Sequence, residues 1–131
     1  MASTGEQIVL TGVSGQQYTF DMYTLETQFN AVGAVYAIER RGTNNVGGII
    51  YTTVYIGQTS DLSERFDNHH KAACFRRERA GHIGIWRADD EKTKTRLAAE
   101  ADLIAQIHPV CNAEPVLQPP PQPPPSWGWG R

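Results

Sequence analysis

The stretch IIYTTVYIGQTSDLSERF, residues 49–66, changes from a strand pattern to a helix start within a few residues. Its first half is rich in β-branched and aromatic residues, which predicts a strand over residues 49–57. Asp61 then offers an N-cap, and Glu64 three residues later completes a capping-box pattern. We therefore expect a helix that begins just after Thr59, with its first turns at the end of the strand.

The residues before this stretch predict a second strand and a long turn. Residues 32–39 (VGAVYAIE) have strand composition, and residues 40–48 (RRGTNNVGG) have turn composition. Two strands joined by a Gly- and Asn-rich connection predict an antiparallel hairpin. Further upstream we expect a short strand at 8–10 and a β-type run at 18–25, while residues 1–7 look unstructured.

The residues after the stretch predict two helices and one more strand. The first helix would run to about Glu78, and residues 82–87 (HIGIWR) would form a short strand. A second helix is expected over about residues 91–107, capped by Asp89 or Asp90 and stopped ahead of a proline. This order predicts an α+β fold, a small three-stranded antiparallel sheet flanked by helices, with an N-terminal β extension.

The composition is that of an ordinary globular chain with a distinct end. The 131 residues include 12 Lys and Arg against 14 Asp and Glu, and the formal net charge of −2 excludes a strongly basic nucleic-acid binder. No apolar run approaches the roughly 18 residues of a membrane span, and MASTGEQ lacks the apolar region of a secretory signal. Prolines crowd residues 115–125, so we expect residues 113–131 to form a disordered tail.

Only two cysteines occur, Cys74 and Cys111, too few for a disulfide framework. A reduced, cytoplasmic setting is therefore expected. Together with His70 and His82 they supply four potential zinc ligands, but the paired short spacing of a zinc site is missing. We expect all four to be packing residues.

Four side chains near the strand–helix junction are candidates for catalysis or binding: Tyr36, Tyr55, Arg65 and His69. Tyrosines in strands usually pack, and Arg or His on a helix is commonly solvated. Arg65 and His69 are four residues apart, so both would project from one helix face at the end of the strand that carries Tyr55.

Glu100 stands out on the second helix. The predicted apolar stripe of this helix is Leu97, Ala101, Ile104, and Ile107 or His108. Glu100 lies inside that stripe, where a carboxylate must be neutral, paired or bound to a metal, because burying a bare charge costs several kcal/mol or more. The alternative is a glutamate at the stripe edge that reaches solvent. Mg²⁺ often takes one or two carboxylates and keeps several waters, so a single Glu is compatible with phosphate chemistry.

Several of these residues belong to one longer pattern. AVY at residues 34–36 is followed by YIGQTSDLSERF at residues 55–66, then by Glu100 and, twelve residues later, by Asn112. This pattern resembles that of the GIY-YIG nuclease superfamily, with Ala and Val in place of the first Gly and Ile. The resemblance divides the chain into an extension (1–32), a nuclease-like domain (33–112) and a tail (113–131).

That resemblance implies a metal-dependent endonuclease that hydrolyses DNA phosphodiester bonds with Mg²⁺ or Mn²⁺. Glu100 would hold the cation, and Arg65 would donate to a non-bridging phosphate oxygen. Tyr36 would accept the proton of the attacking water, and Tyr55 would position that water. His69 would take the proton from the phenol as a relay.

Asn112 would be a positioning group. Local charge supports a nucleic-acid face, since residues 62–87 hold six basic and three acidic residues. The predicted phosphate contacts are Lys71, Arg76, Arg77 and Arg79. The alternative is a non-catalytic module of the same fold that binds nucleic acid or protein. RNA remains open as a target, no membrane partner is expected, and tight DNA affinity would need a homodimer or a partner protein.

Overall fold

The computed structural model describes residues 3–64 and 69–113, and its strands form a single antiparallel sheet. These strands are β1 (Ser3–Thr11), β2 (Gln17–Thr24), β3 (Ala34–Thr43), β4 (Ile49–Thr59) and β5 (His82–Trp86). Their order across the sheet is β1-β2-β5-β3-β4. The predicted α+β class is confirmed. The sheet has five strands instead of three because β2 pairs with β5, so that β1 and β2 belong to the same sheet as the hairpin.

The helices of the described residues are α1 (Ala72–Arg77), α2 (Thr93–Ile107) and α3 (Val110–Ala113). α2 confirms the second predicted helix, and the carboxylate of Asp90 accepts hydrogen bonds from the Lys92 N–H and the Thr95 hydroxyl at its start. None of these described helices is long and apolar enough to cross a membrane.

The start of the first predicted helix is wrong. Asp61 begins a turn, in which its carboxylate accepts hydrogen bonds from the N–H and the hydroxyl of Ser63. An aspartate that bonds two residues ahead offers the backbone an alternative to helix, and here that alternative prevails. α1 begins only at Ala72, and residues 65–68 lie outside the described part.

Two other local expectations are also wrong. Residues 40–43 continue β3 instead of forming a turn, because Thr43 still pairs with Ile49 on β4. Residues 3–7 belong to β1 instead of being unstructured, since β1 pairs with β2. The proline-rich residues 114–131 lie outside the described part.

The sheet curls and carries one apolar cluster on each face. Glu6 on β1 pairs with Arg41 on β3, although β1 is an edge of the sheet on the far side of β2 and β5. One face packs against α1 and α3, and the other packs against α2. The predicted stripe of α2 is confirmed for Ile104 and Ile107, which pack against the second cluster, and wrong for Leu97 and Ala101, which are exposed. The fully buried residues of α2 are Arg96, Ala99 and Leu103.

The two cysteines are joined, which corrects the expectation of reduced packing residues. Cys74 on α1 and Cys111 on α3 form a disulfide bond across 37 residues of sequence. The two cysteines come together because α1 and α3 pack on the same face of the sheet. The distance between Cys74 and Cys111 in sequence does not reveal this packing.

Candidate functional site

The strand register places Tyr36 and Tyr55 side by side on one face of the sheet. Tyr36 on β3 lies opposite Gly57 on β4, and Tyr55 lies opposite Ile38. The two ring centroids are 6.0 Å apart. A Cβ at Gly57 would lie 2.6 Å from Tyr36 Oη and 2.9 Å from Tyr55 Cε2. Glycine at 57 is therefore what allows the two rings to approach each other.

His69 joins this tyrosine pair from the turn that precedes α1. Its Nε2 lies 2.7 Å from Tyr36 Oη, and its ring centroid lies 5.1 Å from that of Tyr55. The Lys71 backbone N–H donates to His69 Nδ1 at 3.0 Å. Because Nδ1 already accepts a hydrogen bond, the neutral ring carries its proton on Nε2 and donates it to Tyr36.

Burial shifts the pKa of all three side chains of this cluster. Burial lowers the pKa of His69 to about 4, so the ring is neutral at pH 7. Burial also raises the pKa of both Tyr36 and Tyr55. A side-chain hydrogen bond with Tyr55 also contributes to the raised pKa of Tyr36, so the two hydroxyls lie within reach of each other. The donation that the geometry fixes runs from His69 Nε2 to Tyr36 Oη.

This direction is the reverse of the relay inferred for His69. A relay needs a ring nitrogen free to accept the phenol proton. In the neutral ring only Nδ1 is an acceptor, and it receives the Lys71 N–H. His69 is thus placed to stabilise negative charge on the Tyr36 oxygen.

Glu100 lies on α2 and acts on the tyrosine pair through its charge. It is half-buried beside the buried face of that helix, and burial raises its pKa. After burial, the charge of Glu100 is among the causes that raise the pKa of Tyr36 and Tyr55, so Glu100 lies within electrostatic range of both hydroxyls although α2 packs on the other face of the sheet. The Glu100 carboxylate makes no hydrogen bond or ion pair with the described residues.

This unpaired carboxylate fits a divalent cation. Within residues 3–64 and 69–113, no group of three or more His, Cys, Asp or Glu side chains is arranged to hold a metal. A hard cation such as Mg²⁺ does not require one, because it commonly binds through one or two carboxylates and keeps its waters. Glu100 is the described residue that would supply such a ligand at this site.

Asn112 contacts β4, the strand that carries Tyr55. It accepts a hydrogen bond from the Ile56 N–H and donates one to the Ile56 carbonyl. Ile56 stands between Tyr55 and Gly57 on β4, so Asn112 supports the strand that carries the site.

Four of the remaining predicted residues lie on or beside α1. Arg65 lies outside the described residues, so its predicted role stays a prediction. Lys71 is half-buried, and Arg76, Arg77 and Arg79 are exposed. Lys71 immediately precedes α1, Arg76 and Arg77 are its last two residues, and Arg79 lies two residues beyond it. All four are therefore close in sequence to His69.

One residue near the site was missed by the sequence reasoning. Arg96 on α2 is buried and hydrogen-bonds the side chain of Gln58, the residue after Gly57. An arginine in a helix normally reaches solvent, so no sequence signal marks this one.

Comparison of the chain with protein-family models, with curated proteins and with solved structures gave no match in any of the three. The assignment of a function therefore depends on the contacts among Tyr36, Tyr55 and His69 and on the charge of Glu100.

Proposed function

We propose that this chain is a metal-dependent endonuclease that hydrolyses DNA phosphodiester bonds, as its resemblance to the GIY-YIG superfamily implies. The observation that supports this most is the cluster in which His69 hydrogen-bonds Tyr36 beside Tyr55, within electrostatic range of the Glu100 carboxylate. Tyrosines that serve only packing do not need two linked hydroxyls, an oriented histidine and a nearby acid. This combination is suited to moving a proton beside a cation and a phosphate.

In this proposal Glu100 would bind Mg²⁺ or Mn²⁺. When bound, such a cation neutralises charge on the phosphate and on the leaving oxygen. Glu100 favours cation binding because its carboxylate is half-buried and has no described partner. Binding would also offset the negative charge that now raises the pKa of both tyrosines.

Tyr36 would accept a proton from the attacking water at its Oη. A phenol is a weak base at neutral pH, so its own proton must leave as the new one arrives. The hydrogen bond to Tyr55 offers that path, and the Tyr55 proton would pass on to water. The His69 Nε2–H would stabilise negative charge as it develops on the Tyr36 oxygen.

The basic residues around α1 would bind the DNA backbone. Arg65 would donate to a non-bridging oxygen of the scissile phosphate, where charge develops in the transition state. Lys71, Arg76, Arg77 and Arg79 would contact flanking phosphates, which position DNA without reading its sequence.

A second function is favoured by one specific observation. Tyr36 and Tyr55 are only 5% and 8% exposed, which leaves little of either hydroxyl for a substrate. A non-catalytic module that keeps the fold and binds nucleic acid or protein needs no such access.

Plasmid nicking separates the two functions. Supercoiled plasmid is incubated with Mg²⁺ or Mn²⁺, with and without chelator, for the wild type, Glu100→Gln and Arg65→Ala. Glu91→Gln is the matched control, because Glu91 is an exposed glutamate just before the same helix. We expect chelator-sensitive nicking by the wild type and by Glu91→Gln, and a loss of about 10²–10³-fold or more in Arg65→Ala.

Glu100→Gln should lose activity while retaining its melting temperature. Full nicking by Glu100→Gln would refute the metal-ligand assignment. Nicking by no form of the protein under either metal, combined with DNA binding, would establish the binding module instead.

A further inference from the structure

Arg96 is a buried cation held entirely by neutral groups. Its side chain is on the inner face of α2, and the residue is 4% exposed. Nε donates to Gln58 Oε1 at 3.1 Å, Nη1 to the Glu91 carbonyl at 3.2 Å, and Nη2 to Thr93 Oγ1 at 2.9 Å. The described residues supply no carboxylate partner for this guanidinium.

The fold makes room for this side chain at Gly33. A Cβ at Gly33 would lie 2.5 Å from Arg96 Nη1 and 2.7 Å from Cζ, so any larger residue would displace the guanidinium. Gly33 immediately precedes β3, and Gln58 is near the end of β4. Arg96 therefore bridges the start of β3, the end of β4 and the first turn of α2.

A buried charge without a counter-ion is a poor way to gain stability. Replacing such groups by apolar residues of similar volume is often neutral or stabilising. What an arginine adds is a planar fork of donors that fixes several acceptors in one geometry. Glu91 and Thr93 belong to the start of α2 itself and hold the fork in place, and Gln58 is the acceptor through which Arg96 ties α2 to the hairpin.

That geometry determines where Glu100 lies. Glu100 is four residues after Arg96, about one helical turn or 6 Å along the axis of α2. The side chain of Gln58 accepts a hydrogen bond from Arg96 Nε. Gln58 directly follows Gly57, and the Tyr36 hydroxyl lies over that glycine. The guanidinium thus connects the helix that carries the acid to the strand that carries the tyrosines.

We propose that Arg96 is a positioning residue, which holds α2 against the ends of β3 and β4 so that the Glu100 carboxylate faces Tyr36 and Tyr55. This inference rests on the proposed nuclease function. A misplacement of about 1 Å in a catalytic group can cost about 10²-fold in rate, so a residue that acts only through Glu100 has a measurable effect.

The test compares Arg96→Met with Arg96→Lys and with Arg87→Met. Arg87 is exposed, lies shortly before α2 and pairs with the Glu91 carboxylate, so its substitution removes the same charge while all three acceptors of Arg96 remain, the Glu91 backbone carbonyl among them. The readouts are melting temperature, nicking rate at saturating Mn²⁺, and the Mn²⁺ concentration that gives half of the maximal rate. Arg96→Met should lower the rate at least 10-fold and raise that Mn²⁺ concentration at least threefold, whereas Arg87→Met should change neither.

The conservative and combined variants distinguish positioning from general support of the fold. The lysine of Arg96→Lys can reach fewer of the three acceptors than arginine does. This variant should therefore nick DNA faster than Arg96→Met but more slowly than the wild type. Arg96→Met added to Glu100→Gln should slow nicking no further than Glu100→Gln alone, because no acid remains to be positioned. A purely structural role would change the rate only in proportion to the folded fraction and leave the Mn²⁺ dependence unchanged.

The outcomes are separable from those for the proposed function. Normal rate and Mn²⁺ dependence in Arg96→Met, with an active wild type, overturn the role of Arg96 and leave the nuclease intact. An inactive wild type overturns both. If Arg96→Met does not fold, Gln58→Leu removes one acceptor and keeps the arginine, and an unchanged Mn²⁺ dependence in that variant overturns the inference.

Discussion

The side-chain amide of Asn112 hydrogen-bonds both backbone groups of Ile56, accepting from the N–H at 2.7 Å and donating to the carbonyl at 2.9 Å. β4 is an edge strand, so its outward N–H and C=O groups lack a neighbouring strand. The amide supplies both a donor and an acceptor at one position, which is what the edge of a strand requires. It thereby fixes α3 on β4 between Tyr55 and Gly57.

Asn112→Asp tests this contact with almost no change in size. The carboxylate can still accept from the Ile56 N–H, but its second oxygen faces the Ile56 carbonyl, so one hydrogen bond becomes a repulsion. We expect a loss of about 1–3 kcal/mol in the free energy of unfolding, measured by urea denaturation. Asn45→Asp, an exposed change in the β3–β4 turn, is the control and should be nearly neutral. Equal stability of the two variants would contradict the edge-capping role.

The disulfide bond predicts a second stability effect. Cys74 and Cys111 close a loop of 37 residues, and the chain-entropy model assigns such a loop about 4 kcal/mol at 25 °C. The wild type should lose about this much free energy of unfolding in dithiothreitol, while a Cys74→Ser, Cys111→Ser variant should be weaker from the start and insensitive to reductant. Because both residues are buried, reduction must be done on the unfolded chain before refolding. A wild type unaffected by that treatment would refute the bond's contribution.

The hairpin and its tyrosine pair could be predicted because they depend on local pattern. β3 and β4 are neighbours in sequence, and their register follows from alternation and a short connection. The pairing of β2 with β5 joins residues about sixty positions apart, and no local pattern encodes that partner. The same holds for the Cys74–Cys111 bond.

The roles of His69 and Arg96 were also beyond sequence reasoning, for a different reason. The direction of the His69 hydrogen bond depends on one backbone N–H, that of Lys71, which only the turn before α1 brings to Nδ1. Arg96 is buried because Gly33 leaves space for it on another element. Both depend on contacts between segments and not on residue type.

Gly57→Ala tests whether the close approach of the two tyrosines matters. The new Cβ would lie under 3 Å from both Tyr36 Oη and Tyr55 Cε2, so at least one ring must move. We expect a loss of about 1–3 kcal/mol in stability from overpacking, and nicking reduced beyond what the unfolded fraction explains. Tyrosine ring shifts in NMR spectra report the displacement directly. Gly42→Ala on β3 is the control, since a Cβ there meets nothing within 4 Å. Unmoved rings and normal nicking in Gly57→Ala would argue against the site.

Glu39 predicts how stability depends on pH. It is fully buried on β3 on the face that packs α2, where Thr53 Oγ1 donates to its Oε2 at 2.7 Å and its Oε1 has no partner among the described residues. Burial raises the pKa of this carboxyl from 4.5 to about 7. Between these two values the folded protein keeps a proton that the unfolded chain releases. Stability should therefore fall as the pH rises from 4.5 to 7, by about 3 kcal/mol in total.

Glu39→Gln isolates this effect, because glutamine keeps an oxygen for Thr53 and does not ionise. The free energy of unfolding of the wild type, measured by urea denaturation from pH 4.5 to 8, should decline through the window and level off above pH 7. The Glu39→Gln profile should lack that decline. The amide's unpaired donors lower the free energy of unfolding of the variant, but by the same amount at every pH. Glu26→Gln, at an exposed glutamate, is the control and should follow the wild-type slope. Parallel profiles for wild type and Glu39→Gln would contradict this prediction. They would mean that the Glu39 carboxyl has the same pKa in the folded and unfolded chain, because a group or a water hydrogen-bonds its Oε1.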